Sequence, residues 1–144
     1  MAILKQVRPT ELFMGKLRHG ADLLEEITDI CRKKGIRLGR IEAFGAVKKA
    51  RLGFYNQRSR EYQSFDLDRP LEITKLIGNI SLKDNHPMVH AHLTLADEDG
   101  SAYGGHLMPG TVVFACEIVL QAFDGPGFER RLDNETGLPL WEME

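Results

Sequence analysis

A chain of 144 residues, 42% hydrophobic and 28% charged, is the size of one ordinary domain and is too apolar for a disordered polymer. Its formal net charge of −2 is unlike the basic balance usual in non-specific nucleic-acid binders, and no apolar run approaches the ~20 residues that cross a bilayer. Only Cys31 and Cys116 occur, far apart and without CxxC spacing, so neither a disulfide framework nor a thiolate zinc site is indicated and the cytoplasm is the expected location.

In chain order, "MAILKQVRPTELF" lacks the apolar core and small-residue cleavage site of a signal peptide. "TELFMGKLRHG" interleaves apolar and polar residues and reads as a first strand. "ADLLEEITDICRKKG" is the one clear helix. Leu23, Leu24, Ile27, Ile30 and Cys31 recur at helical spacing, acids sit early, and Arg32, Lys33 and Lys34 occupy the last turn before Gly35 stops it. Strand-like stretches follow, bounded by Gly, Asn, Asp or Pro: "RLGRIEAFGAV", "KKARLGFYN", "REYQSFDLD", "LEITKLIGNISL", "MVHAHLTLAD" and "TVVFACEIVLQAF". Consecutive strands favour antiparallel hairpins over βαβ alternation. The expected architecture is a single α+β domain over residues 1–144, with a central, largely antiparallel or mixed sheet and one main helix. Its core spans about residues 11–123. Residues 124–144 read as a docking tail anchored by Leu138, Leu140 and Trp141, with a neighbouring subunit as one destination.

Charge is segregated along the chain. From Arg32 to Arg60 ten basic residues face one acid, Glu42, while the remainder holds nine basic and twenty acidic residues. Such a cluster can form a local positive face for a phosphate-bearing partner, and Lys48, Lys49 and Arg51 are its candidate contacts. The alternative is a solvated surface, or a patch that pairs with the acidic remainder at a subunit boundary.

The chemistry-bearing stretch is "HPMVHAHLTL", followed by "GGHL". Strand alternation puts Val89, Ala91, Leu93 and Leu95 on one face and His90, His92 and Thr94 on the other. His90 and His92 then sit ~6.5–7 Å apart at Cα, close enough to share an ion. "ADEDGSAYGGHL" supplies a turn through Gly100, and the return strand can bring His106 to the same face, with Gly104 and Gly105 permitting close approach. Neutral imidazole is the commonest metal ligand, and three histidines leave a fourth tetrahedral position open, as in catalytic zinc sites. From these residues alone, a three-histidine metal site and a run of half-buried polar residues both stay open.

"MVHAHLTLADEDGSAYGGHLMPGTVVFACEIVL" resembles the core of the PPC domain, the plant and prokaryote conserved domain. "HGADLLEEITDICRKKGIRLGRIEAFGAVKKARLGFYN" and the hairpin around "YGGHLMPG" are similar to the same family. The resemblance runs from about Glu11 to Phe123. It implies an α+β fold, a homotrimer, and in free-standing members a metal at the histidines, here His90, His92 and His106. Zinc is the first candidate, with other divalent transition metals as alternatives. In plants the domain follows AT-hook motifs, and free-standing prokaryotic copies carry a DNA-binding label. This chain has no Arg-Gly-Arg-Pro element, and "IRLGRIEAF" only echoes it.

The functional expectation is therefore a DNA-binding or regulatory PPC-domain protein with a three-histidine zinc site. The alternative is a metal-dependent enzyme, of hydrolase or lyase type, acting on a small molecule through a metal-bound water. Glu117, an acid in an apolar strand, is a candidate base for that enzyme, or a partner for a basic residue across a subunit boundary. His19 and His86 read as exposed turn residues. No phosphate loop occurs, since neither GxGxxG nor GxxxxGK is present. Strand runs this apolar leave sheet surface that one helix cannot cover, which agrees with self-association into a closed trimer.

Overall fold

A computed structural model describes residues 2–143. Its single helix, α1 (Leu23–Lys34), follows local rules. The Asp22 side chain caps it by accepting from the Glu25 backbone N–H at 3.0 Å, and Gly35 ends it in the left-handed region at φ 67°. Leu23, Ile27 and Cys31 are completely buried on the face that packs against the sheet.

Strands make up most of the rest. The central one, β2 (Gly39–Asn56), merges two stretches that the sequence suggests as separate strands. Nothing between Val47 and Lys48 forces a turn, so the backbone stays extended and takes up its curvature in irregularities of register. One of these falls at Gly45, at φ 143°, where an added Cβ would lie 2.1 Å from the Ala115 carbonyl oxygen. No other residue fits there.

The sheet runs β1 (Arg8–Lys16), β7 (Val112–Asp124), β2, β4 (Leu71–Lys83), β5 (His86–Ala96) and β6 (Ala102–Leu107) in spatial order. β3 (Glu61–Leu67) forms a hairpin on the second half of β2, and β6 returns to meet β2 through Leu52↔Leu107 and Gly53↔His106. The sheet thus curls until its far edge rejoins its longest strand. Every ladder between these strands is antiparallel, so the domain is mostly β with one short helix.

The two faces of the sheet are unlike. The inner face carries Ile41, Leu76, Ile80, Leu93, Leu95 and Leu120 against the helix, all 3% exposed or less. The outer face carries Phe44, Ile77, Asn79, His90 and His92.

The C-terminal residues form a small hairpin, β8 (Arg130–Leu132) with β9 (Pro139–Trp141). This tail docks on β4 of its own chain. The Leu82 N–H donates to the Phe128 carbonyl at 2.9 Å, and the Arg130 Nε donates to Ser81 Oγ at 2.9 Å. Its buried anchors are Phe128 and Arg130, whereas Leu140 is exposed. An arginine as anchor was invisible in the sequence because apolar residues are the ordinary guide to a docked tail.

Candidate metal centre

β5 and β6 assemble the histidine cluster as strand geometry requires. The inward set Val89, Ala91, Leu93 and Leu95 is buried, which turns His90 and His92 outward. The hairpin that follows is held by Asp97, whose carboxylate accepts from the backbone N–H groups of Asp99 and Ser101, with Gly100 at φ 77°. It returns β6 in a register that sets His106 directly opposite His92. Directly opposed residues share a face, so all three imidazoles converge.

Their ring centroids lie 5.1 to 5.4 Å apart, and one nitrogen from each falls within 4.8 Å of the others. The Nε2 atoms of His90 and His92 are 3.2 Å apart. Two ligands at ~2.0–2.1 Å from one tetrahedral zinc would be separated by roughly 3.3 Å, so the pair already sits at the span of a tetrahedron's edge. His106 Nδ1 is buried with no hydrogen-bond partner among the described residues. The donor set, the spacing and this orphaned nitrogen all fit a transition-metal ion.

Glycines let the cluster close. A Cβ on Gly105 would come within 2.9 Å of the Gly53 carbonyl oxygen, so the expectation of close backbone approach holds there. Across the β2–β6 ladder, Gly53 leaves room for the Tyr62 ring, which lies 4.8 Å from His106.

Burial dominates the electrostatics. It lowers the pKa of His90 to about 4, helped by the Arg130 guanidinium and by the neighbouring rings of His106 and His92. His106 is also lowered, by burial first and then by His92 and Arg130. Both rings are therefore neutral at pH 7, the form that ligates metal.

Three residues that sequence reasoning passed over line this site. Asn79 faces His90 across the β4–β5 ladder and accepts from Arg130 Nη2 at 2.8 Å, while the Tyr62 ring packs at a tilt against His106. Asn79 could have been found by pairing "IGNIS" with "MVHAH" in antiparallel register. Arg130 had no such signal, because it arrives from a tail forty residues further on.

Lys48, Lys49 and Arg51 lie on β2 and are exposed. They do not join the histidines. Arg51 meets Ser64 at 3.1 Å and Asp66 at 4.0 Å on β3, so part of its charge is already answered. Glu117 is exposed on β7 and sits opposite Phe44 and Lys16, separated from β5 by β2 and β4. A register shift near Phe114 puts Val113 in the core, so Glu117 does not share its face. His19 is exposed, with Nδ1 2.8 Å from the Phe114 carbonyl oxygen, and His86 is exposed at the start of β5.

The model of the Plants and Prokaryotes Conserved (PCC) domain matches residues 4–124. The chain belongs to this family, the PPC domain. Among solved structures, this PPC chain is similar to a metal-containing protein of Archaeoglobus fulgidus, at 40% identity and TM-score 0.92, covering 96% of this chain and 97% of that one. It is also similar to a PPC protein of Pyrococcus horikoshii, at 35% identity and TM-score 0.92, covering 98% and 97%. A third likeness is to a candidate DNA-binding protein of Ralstonia eutropha, at 26% identity and TM-score 0.81, covering 91% and 90%. Among curated proteins, the bifunctional protein GlmU of Synechococcus sp. (strain JA-2-3B'a(2-13)) is 32% identical over 134 residues, which is 92% of this chain and 19% of GlmU. The PPC chain thus spans about a fifth of the length of the curated relatives it matches. No helix among the described residues is long and apolar enough to cross a membrane.

Proposed function

We propose that this PPC protein is a metal protein, with His90, His92 and His106 holding one divalent transition metal, zinc in first place. The 3.2 Å separation of the His90 and His92 Nε2 atoms carries the reading, because it matches the span two zinc ligands would need. The Archaeoglobus relative, itself described as metal-containing, adds support. A metal held by three histidines supplies a Lewis acid for a ligand oxygen, which is the chemistry of the small-molecule enzyme reading. The residues around it position that ligand, and Glu117 is too far round the sheet to serve as its base. Metal analysis of the purified protein after dialysis against micromolar zinc is the test. One zinc per chain, with chemical shifts moving at His90, His92 and His106, is the expected result. Absence of bound metal would sink the reading.

A second reading, DNA binding in the cytoplasm, is favoured by the exposed Lys48, Lys49 and Arg51 and by the description of the Ralstonia relative. Binding through these residues would be sequence-tolerant and would fall steeply with salt, as phosphate neutralisation releases counterions. Replacing all three with Glu should abolish it without unfolding the chain. A fluorescence titration with duplex DNA at low salt that shows no binding would remove this reading.

The homotrimer remains part of the proposal. Met14, Phe44, Ile77 and Phe114 are 81%, 56%, 54% and 56% exposed, large apolar side chains that a copy of the chain would cover. A trimer mass in sedimentation is expected.

A further inference from the structure

Arg130 is the one buried charged side chain among the described residues, with 7% of its surface exposed. A buried guanidinium is ordinarily matched by a carboxylate, because withdrawing its charge from water is costly. Here its protein acceptors are three neutral oxygens. Nε donates to Ser81 Oγ at 2.9 Å, Nη2 to Asn79 Oδ1 at 2.8 Å, and Nη1 to the Pro139 carbonyl at 3.0 Å. No carboxylate lies within ion-pair distance of it among the described residues. A guanidinium offers five N–H groups, so among the described residues one on each terminal nitrogen has no protein acceptor.

A second donor, on the ring beneath the guanidinium, is also unanswered among the described residues. The Trp141 ring lies under the guanidinium, 5.4 Å from Cζ to its centroid, and Trp141 Nε1 is buried with no hydrogen-bond partner. Both groups are donors and one is charged, so an anionic oxygen acceptor satisfies both requirements.

The position of this cation gives it a purpose. Asn79, which accepts from Nη2, sits directly opposite His90, so one hydrogen bond and one strand pairing link the guanidinium to the histidine cluster. The histidines lie inside the family match over residues 4–124, while Arg130 and Trp141 lie on the hairpin that follows it.

We propose that Arg130 is the anion-recognition residue of a ligand site shared with the histidine cluster, taking the oxyanion of a small carboxylate or phosphate ester whose other end faces His90, His92 and His106. This rests on the metal reading for the far end of the ligand, but Arg130 and Trp141 form their end from protein groups alone. The C-terminal hairpin then acts as the specificity element, selecting anionic ligands for a centre that the domain supplies.

Trp141 is the only tryptophan in the chain, so its fluorescence reports on this site directly. Zinc-loaded and metal-free protein would be titrated with acetate, oxalate and inorganic phosphate. The expected result is a saturable change in Trp141 emission with at least one of them, tighter in the zinc-loaded form. Arg130→Met should weaken it about tenfold or more, and Arg130→Lys, which keeps the charge and loses the planar fork, by less. Acetate or oxalate binding with phosphate inert identifies a carboxylate ligand, and the reverse identifies a phosphate ester. If Arg130→Met loosens the hairpin, Arg130→Lys alone decides, since it must still shift the affinity.

The two readings fail separately. Zinc bound at the histidines with no anion response in wild type, or with the same response in Arg130→Lys, overturns the subsite and leaves the metal centre standing. No zinc bound, but an Arg130-dependent anion response in the metal-free protein, overturns the metal centre and keeps the subsite.

Discussion

The same strands build two faces of opposite character. On β5, Val89, Ala91, Leu93 and Leu95 face the helix and are 6% exposed or less, while His90 and His92, one residue out of step, face away and collect chemistry. On β4, Ile80 is completely buried, and Asn79 beside it takes a hydrogen bond from Arg130. The inner face is specified by area removed from water, a demand that many apolar side chains can meet. The outer face is specified by a few polar atoms at set distances, which tolerate little exchange. Stability and function are thus separated by a half-turn of the backbone at each residue.

The contrast can be broken most severely from the inside. Ile80→Ala removes a fully buried side chain and should cost about 2–5 kcal/mol in a urea denaturation. Its metal affinity, measured below the unfolding transition, should stay within a few fold. His92→Ala should do the opposite. Zinc affinity by competition with a chelator should drop by about a hundredfold or more, beyond the loss usual for a supporting residue around a metal. The stability of the metal-free chain should barely move.

Acid sharpens the comparison by a smaller amount. The folded pKa of His90 is about 4, below the ~6.5 of an unfolded histidine, so between these values the unfolded chain holds the extra proton. Stability of the metal-free protein is therefore complete above about pH 6.5 and falls as pH drops towards 4. The ring is half-buried, and screening by solvent reduces the loss to about 1 kcal/mol. Urea midpoints at pH 7 and pH 4.5 would show it, and His90→Gln should flatten the difference.

The smallest effect belongs to the outer apolar residues. Ile77→Ser, opposite His92, should change the stability of an isolated chain by no more than about 0.5 kcal/mol. A larger loss that depends on protein concentration would mean that a copy of the chain covers this face.

Much of this division was legible before any coordinates. The period-2 alternation of "MVHAHLTLAD" separated core from cluster, and the turn through Gly100 brought His106 back, because both are consequences of local backbone geometry. The helix and its stop at Gly35 were readable for the same reason. What the sequence concealed depends on contacts between distant segments. β2 looked like two strands because its break in pattern at Val47 and Lys48 is an irregularity against β7, not a turn. Val113 entered the core, out of step with Glu117, through a register shift that no single strand announces. Arg130 was hidden because a charged residue in a Pro- and Gly-containing tail ordinarily faces water, and only the fold shows Ser81 and Asn79 waiting to receive it.

The pairing of β1 with β7 has a consequence for how the chain is made. Arg8 meets Asp124 across a sequence separation of 116 residues. At a synthesis rate of ~5–20 residues per second, the first strand leaves the ribosome roughly 6 to 23 s before its partner exists. Throughout that interval Leu12, Phe13 and Met14 are presented on an unpaired strand, and the helix behind it has no complete sheet to rest on. The last long strand to be translated is thus the one that seats the first, and folding to the finished sheet waits for it.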